Sequence, residues 1–221
     1  MEDKDKEIKE KILESSEKLF MKYGVRSISM DDIARHLSMS KKTLYQYFVD
    51  KDELVTTVTE AHMNSHKKIY EAIRKQSENS IDELHQLGLH VRRHIEEQNP
   101  ALLFDIQKFH PKAWTIWIEY KRNYIHATIV RNIKQGMKDG LMRADLNPEI
   151  IAQYRLATIQ VCCDEQFFGQ DQYKTAEVQS QVFEHFVFGL CTEKGKKLYL
   201  KYKENHIHQM KTNLPKHETI S

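Results

Sequence analysis

The sequence predicts an all-α protein of about nine helices, with an N-terminal three-helix helix-turn-helix head and a C-terminal helical bundle body. Three observations carry that reading. Apolar residues recur mostly at three- and four-residue steps, the period of a helix with one wet and one dry face. Seven glycines and four prolines in 221 residues are few, so connections are short. No convincing strand pattern occurs. With 40% hydrophobic residues the chain can bury one good core or two small ones, which allows one or two domains.

Each element has a local reason. Ile8, Ile12, Leu19, Phe20 and Tyr23 share one side of a helix from about Lys4, and Gly24 is its stop signal. Ser29 with Asp32 three residues on caps a short second helix whose Met30, Ile33, Ala34 and Leu37 face inward. Ser40 caps a third helix, on which Leu44 and Phe48 lie one turn apart. Only about three residues separate the second and third helices, the connection of a helix-turn-helix. Asp50 with Glu53 caps a fourth helix, Lys51 to about Gln76, long enough to lead from a head of residues 1–50 into a body of residues 51–221. Further helices are expected at about Ser80–Gln98, Ala101–Phe109, Lys112–Asp139, Pro148–Phe168 and Thr175–Thr192, punctuated by Pro100, Pro111, Gly140 and Pro148. The lysine-rich tail after Gly195 can extend as a helix to about Gln209.

The net charge of +2 is too small to identify a polyanionic partner, but its distribution is informative. Between Lys22 and Lys51 six basic residues oppose three acidic ones, a local +3, and from Lys194 to Ser221 seven lysines oppose two glutamates, a local +5. No apolar run approaches the roughly 18 residues of a membrane span, and the first ten residues lack the apolar centre of a signal peptide. A cytoplasmic location without membrane association is expected. Cys162, Cys163 and Cys191 form no regular framework and suit a reducing compartment. The sequence leaves open whether they sense redox state.

The third helix carries the chemistry. With Leu44 and Phe48 committed inward, its other faces present Lys41 with Tyr45, Lys42 with Gln46, and Thr43 with Tyr47. Cationic and hydroxyl groups on flat apolar bodies suit a duplex groove: lysines reach phosphates or guanine edges, and rings or methyls meet thymine methyls. The next helix starts at once, so its free N–H groups and Lys51 lie near a backbone phosphate.

The stretch "SISMDDIARHLSMSKKTLYQYFVDKDELV" closely resembles the DNA-binding head of the TetR/AcrR family of bacterial transcriptional regulators. The resemblance rests on Leu19, Phe20, Gly24, Ser27, Ile33, Ala34, Ser40, Leu44, Tyr45, Phe48, Lys51 and Leu54 at fixed spacing, over roughly the first fifty-five residues. It implies that Thr43 and Tyr45 reach bases and backbone, that Tyr47 and Lys51 meet phosphates, and that Lys41 and Lys42 set operator preference. Ser27 and Ser29 fall at the phosphate-facing entry to helix two, and Ser40 at the cap of the recognition helix.

One head is too small for tight specific binding, so a homodimer reading a palindromic operator in double-stranded DNA is expected. The last two body helices offer Ile150, Ile151, Tyr154, Ala157, Thr158 and Val161 on one stripe, and Val178, Val182, Phe183, Phe186, Val187 and Leu190 on another. Two such helices per subunit make a four-helix bundle, the arrangement the resemblance also implies. The interface expected from these stripes uses Ile151, Tyr154, Thr158, Val161, Val182, Phe186 and Leu190. By the same resemblance, Phe104, Phe109, His110, Trp114, Trp117 and Tyr120 are candidates for an effector cavity whose filling moves the fourth helix, with Tyr124 in the same aromatic stretch. The expected function is a small-molecule-released repressor; a DNA-binding protein without an effector is the alternative.

His62 and His66 stand four apart, a chelating spacing, yet with no acidic or thiol partner in view they read as solvated helix surface, and no metal or cofactor is expected. G-x-S-x-G, G-x-x-x-x-G-K and H-E-x-x-H are all missing, which argues against an enzyme.

Overall fold

A computed structural model describes residues 2–162, 167–169 and 172–212. Its head consists of α1 (Glu2–Tyr23), α2 (Met30–His36) and α3 (Lys41–Tyr47), followed by the long α4 (Lys51–Gln76). α1 ends at Gly24, whose φ of +81° lets its N–H return to the Phe20 carbonyl. Ser29 closes a capping box with Asp32, Ser40 accepts the Thr43 N–H, and Asp50 accepts the Glu53 N–H. The α2–α3 turn is Leu37–Ser40, with Ser38 in the left-handed region at φ +53°. Ile12, Phe20, Val25, Ile33, Leu44 and Phe48 form the head core. That core does not stop at residue 50: Leu54, Val55 and Val58 of α4 complete it, together with three side chains from further along the chain, Leu102, Ile106 and Ala113. Tyr23, expected on the buried side of α1, is 47% exposed, and the Lys22 ammonium lies over its ring.

The body contains α5 (Ser80–Glu97), α6 (Leu102–Phe109), α7 (Pro111–Glu119), a π turn (Tyr120–Ile125), α8 (His126–Lys138), α9 (Pro148–Cys162), α10 (Thr175–Leu190) and α11 (Glu193–Thr212). Its own core gathers Ile81, Leu84, Ile133, Met142, Val187 and Leu190. Buried Glu83 of α5 accepts hydrogen bonds from Arg131 and Asn132 of α8, a paired charge that ties these helices without leaving a bare carboxylate.

Two expectations are corrected. The single helix expected over Lys112–Asp139 is interrupted by the π turn, where Tyr120 and Tyr124 stack at 5.4 Å between ring centres. Turns of this kind insert one residue into a helix and frequently mark functional sites. The helix expected to reach Phe168 does not include that residue, which lies in a bend; α9 is described as far as Cys162, and Cys163 lies outside the described residues. The tail helix, left open by the sequence, is long because Thr192 supports its start: the Thr192 hydroxyl accepts the Gly195 N–H and its carbonyl accepts that of Lys196. Together with the π interruption this gives eleven α-helices among the described residues rather than nine. None of the described helices is long and apolar enough to cross a membrane.

Candidate nucleic-acid interface and internal cavity

On α3 the structure leaves Lys42, Tyr45 and Gln46 exposed beside one another, with Tyr45 42% accessible, while Leu44 and Phe48 are buried. Burying those two apolar residues against α2 and α4 fixes which side of so short a helix faces out. Ser27 and Ser29 are exposed at the entry to α2. Ser29 is engaged in its cap, and the Thr43 hydroxyl lies 2.7 Å from that of Ser40. Lys41 pairs with Asp31 at 2.8 Å, and the hydrogen bond to Asp31 raises its pKa.

Two expected phosphate contacts face elsewhere. The Tyr47 hydroxyl donates to Asp5 of α1 at 3.1 Å. The Lys51 ammonium donates to the Val25 carbonyl at 2.7 Å, and burial pulls its pKa down. The long lysine stem reaches a carbonyl in the α1–α2 loop that also accepts the Ile28 N–H, a partner that spacing within α4 cannot reveal.

That loop is also where head meets body. The Arg26 N–H donates to buried Asp105 of α6 at 3.0 Å, and the Asn99 N–H donates to the Met21 carbonyl at 2.7 Å. His110 Nδ1 lies 3.0 Å from an Asp52 carboxylate oxygen, joining the α6–α7 corner to the first turn of α4. Asp52, Asn99 and Asp105 had no signal in the sequence, because each works across more than fifty residues.

A cavity of about 440 Å³ occupies the body and reaches the head. Its lining is mainly apolar, with Met63, Leu87, Val91, Trp117, Ile129 and Phe183 among its walls, and Phe20 and Met21 of α1 closing one end. Trp117 and Tyr120 line it as expected; Phe104, Phe109, His110 and Trp114 do not. Phe104 and Phe109 are exposed, His110 is held by Asp52, and Trp114 packs on the head core. They belong to the short α6 and the start of α7, whose inner face is taken up by the head. The Tyr120 hydroxyl is buried without a hydrogen-bond partner among the described residues, and burial raises its pKa. Arg155 of α9 reaches the same space, its guanidinium 5.0 Å from the centre of the Phe183 ring.

His62 and His66 are not solvated surface but part of this lining, together with His94 of α5 and Glu17 of α1. Their side chains lie on the face of α4 that turns toward α5. A second H-x-x-x-H spacing, His90 to His94, was the sequence signal that could have found the cluster.

The residues expected at a subunit interface divide. Ile150, Tyr154 and Val161 lie exposed along α9, and Ile151, Thr158 and Val182 are half-buried. Phe186 and Leu190 are 5% and 1% exposed in the body core, so they cannot meet a second copy; α10 turns that stripe toward α5.

Comparison with known proteins agrees with this architecture. Residues 12–58 match the family model described as bacterial regulatory proteins, tetR family. The chain is 27% identical over 169 residues to the HTH-type transcriptional regulator YvaF of Bacillus subtilis, covering 76% of this chain and 87% of that one. Among solved structures it resembles a transcriptional regulator from Saccharomonospora viridis in complex with choline, at a TM-score of 0.67 and 18% identity over 85% of this chain and all of that one. It also resembles the ketosteroid transcriptional regulator KstR2 of Mycobacterium tuberculosis, at a TM-score of 0.57 and 20% identity over 84% and 95% of the two chains. Residues 12–58 thus form a helix-turn-helix head of the type found in the tetR family of bacterial regulatory proteins, and most of the chain is similar to transcriptional regulators that carry such a head on an all-helical body.

Proposed function

We propose that this regulator is a cytoplasmic repressor that binds a palindromic operator as a homodimer and releases it when a small molecule fills the body cavity. The observation that carries this reading is that one cavity touches α1 and α4 at once, so its contents bear on both the head and the lever beneath it. A ligand shifts such an equilibrium only by binding one arrangement better than the other, and a cavity shared by head and body provides that difference. The functional division is a reading head of residues 1–50 and a sensing and dimerising body of residues 51–221, with α4 coupling them.

In the reading head, Lys42, Thr43 and Tyr45 meet the groove, while Ser27, Ser29, Ser40 and Lys41 contribute at its edges. The volume falls within the roughly 300–1,000 Å³ of small-molecule sites. The apolar walls and the orphan Tyr120 hydroxyl suit a flat, largely apolar effector with one hydrogen-bond acceptor. One structural neighbour is a complex with choline and another is a ketosteroid transcriptional regulator, which supports a small-molecule effector here. Dimerisation uses the exposed α9 stripe of Ile150, Tyr154 and Val161.

The test is selection of bound duplexes from a random pool, repeated with a metabolite extract present. A short inverted repeat released by one fraction of the extract is expected, and Tyr45→Ala should weaken binding to it at least tenfold while the dimer persists. Binding to many unrelated sequences, indifferent to every fraction, would instead identify a constitutive or architectural DNA-binding protein.

A further inference from the structure

The cavity contains a group of side chains that an apolar effector does not explain. His62 and His66 project from α4 one turn apart, and His90 and His94 project from α5 with the same spacing. The two pairs face each other: ring centres lie 4.4 Å apart for His62–His66, 4.5 Å for His66–His94, 5.1 Å for His62–His94 and 5.3 Å for His66–His90. One ring nitrogen from each of His62, His66 and His94 falls within 4.8 Å of the others. We propose that His62, His66 and His94 form a binding site for a divalent transition-metal ion of the zinc class, and that the bound ion regulates the head by drawing α4 against α5.

The donor set fits that class of ion. Imidazole nitrogens favour zinc, nickel, cobalt or copper over magnesium and calcium, which prefer oxygen. Three protein nitrogens leave a fourth position for water or for a ligand in the cavity. Metal ligation requires neutral imidazole. His66 and His94 are both half-buried in the cavity wall, facing each other across α4 and α5. Among the described residues neither ring is hydrogen-bonded, and the buried His90 Nε2 also lacks a partner. Glu17 Oε1 lies 2.5 Å from His62 Nδ1. A carboxylate can only accept that hydrogen bond, so Nδ1 carries the proton and Nε2 is the ligating atom. Carboxylates behind a ligating histidine orient it in the same way at metal centres generally.

The geometry also suggests the signal. Ligand nitrogens around a tetrahedral ion at 2.0–2.1 Å stand about 3.3 Å apart, so closure draws the three rings together by up to an ångström or more. The rings come from two helices, and Glu17 links His62 to α1 of the head. Occupancy therefore tightens α4 onto α5 and pulls on the head through Glu17. The regulatory half rests on the proposed operator binding; the metal site itself does not.

The experiment uses the full chain, stripped with a chelator and dialysed, titrated calorimetrically with zinc chloride and optically with cobalt chloride. One ion per chain is expected, with a cobalt spectrum of low coordination number. His66→Gln and His94→Gln should each weaken binding at least a hundredfold, Glu17→Gln about tenfold or more, and His36→Gln on the exposed end of α2 should leave it unchanged. Circular dichroism and melting curves of each variant separate lost binding from lost folding. Absence of saturable binding, or binding that survives in a folded His66→Gln/His94→Gln double variant, overturns the site. Affinity for the selected duplex is then measured with and without zinc, and a change of at least tenfold is expected in the wild type alone. A smaller change overturns the regulatory half while leaving the site standing. Failure of the stripped chain to bind any duplex instead counts against the proposed repressor function.

Discussion

Lys42 and Lys51 show how one residue type takes two roles nine positions apart. Lys42 is exposed on the outer face of α3, whereas the Lys51 ammonium is spent on the Val25 carbonyl. Lys42→Ala should therefore reduce the salt dependence of DNA binding by about one phosphate contact. Lys51→Ala should leave that slope unchanged and lower the melting temperature, because the Val25 carbonyl loses the shorter of its two hydrogen bonds. A slope that falls for Lys51→Ala and not for Lys42→Ala would reverse these assignments. The cysteines illustrate the same dependence on surroundings. Burial raises the Cys191 thiol to about 11, so it stays protonated at neutral pH and gains reactivity only as pH approaches that value. At pH 8 its thiolate fraction falls roughly a hundredfold or more below that of a free cysteine with pKa near 8.5. Peptide mapping after iodoacetamide treatment should find Cys191 unlabelled in the native chain and labelled in denaturant; rapid native labelling would contradict its burial.

Among the elements, α11 approaches the chain leaving α8 most closely at Gly195. A Cβ added at Gly195 would sit 2.1 Å from the Leu141 carbonyl oxygen, a backbone atom with no rotamer to give way. The Thr192 N–H and hydroxyl, both donating to the Leu141 carbonyl, and the short bridge between Met142 and Cys191 hold that approach in place. Gly195→Ala should destabilise the chain by about 1–3 kcal/mol through overpacking, read from denaturant unfolding. An unchanged midpoint would mean that α11 does not dock here. The capping residues Ser29, Ser40 and Asp50 were legible in the sequence, because a cap acts within three residues. The π turn was not: its extra residue is accommodated by stacking Tyr120 on Tyr124 against α4, where the Tyr124 hydroxyl donates to the Lys67 carbonyl.

For the whole molecule, the clamp between loop and body and the exposed α9 stripe decide how a cavity can speak to DNA. Arg26, Asp105, Asn99 and Met21 fix the α1–α2 loop to α6, and Asp52 with His110 fixes the base of α4. The head therefore cannot rotate without disturbing the cavity walls. In the proposed dimer, communication between two heads further requires a second copy on α9. Tyr154→Arg, with Val161→Asp in the same chain, should shift the protein toward monomer in sedimentation and weaken binding to a full palindrome far more than to a half-site. A dimer that survives both changes would place the interface on another face.

What the sequence alone determined is local: helical period, caps, the spacing of the helix-turn-helix, and the inward commitment of Leu44 and Phe48 that leaves Tyr45 outside. Each follows from interactions a few residues apart, which order along the chain dictates. Only the tertiary structure decided that Lys51 turns inward, that Phe186 and Leu190 are core, and that His62 and His66 meet His94 and Glu17 inside a cavity. Those outcomes depend on which faces of distant helices share the same space, and the helical period of one segment carries no information about the partner it will meet.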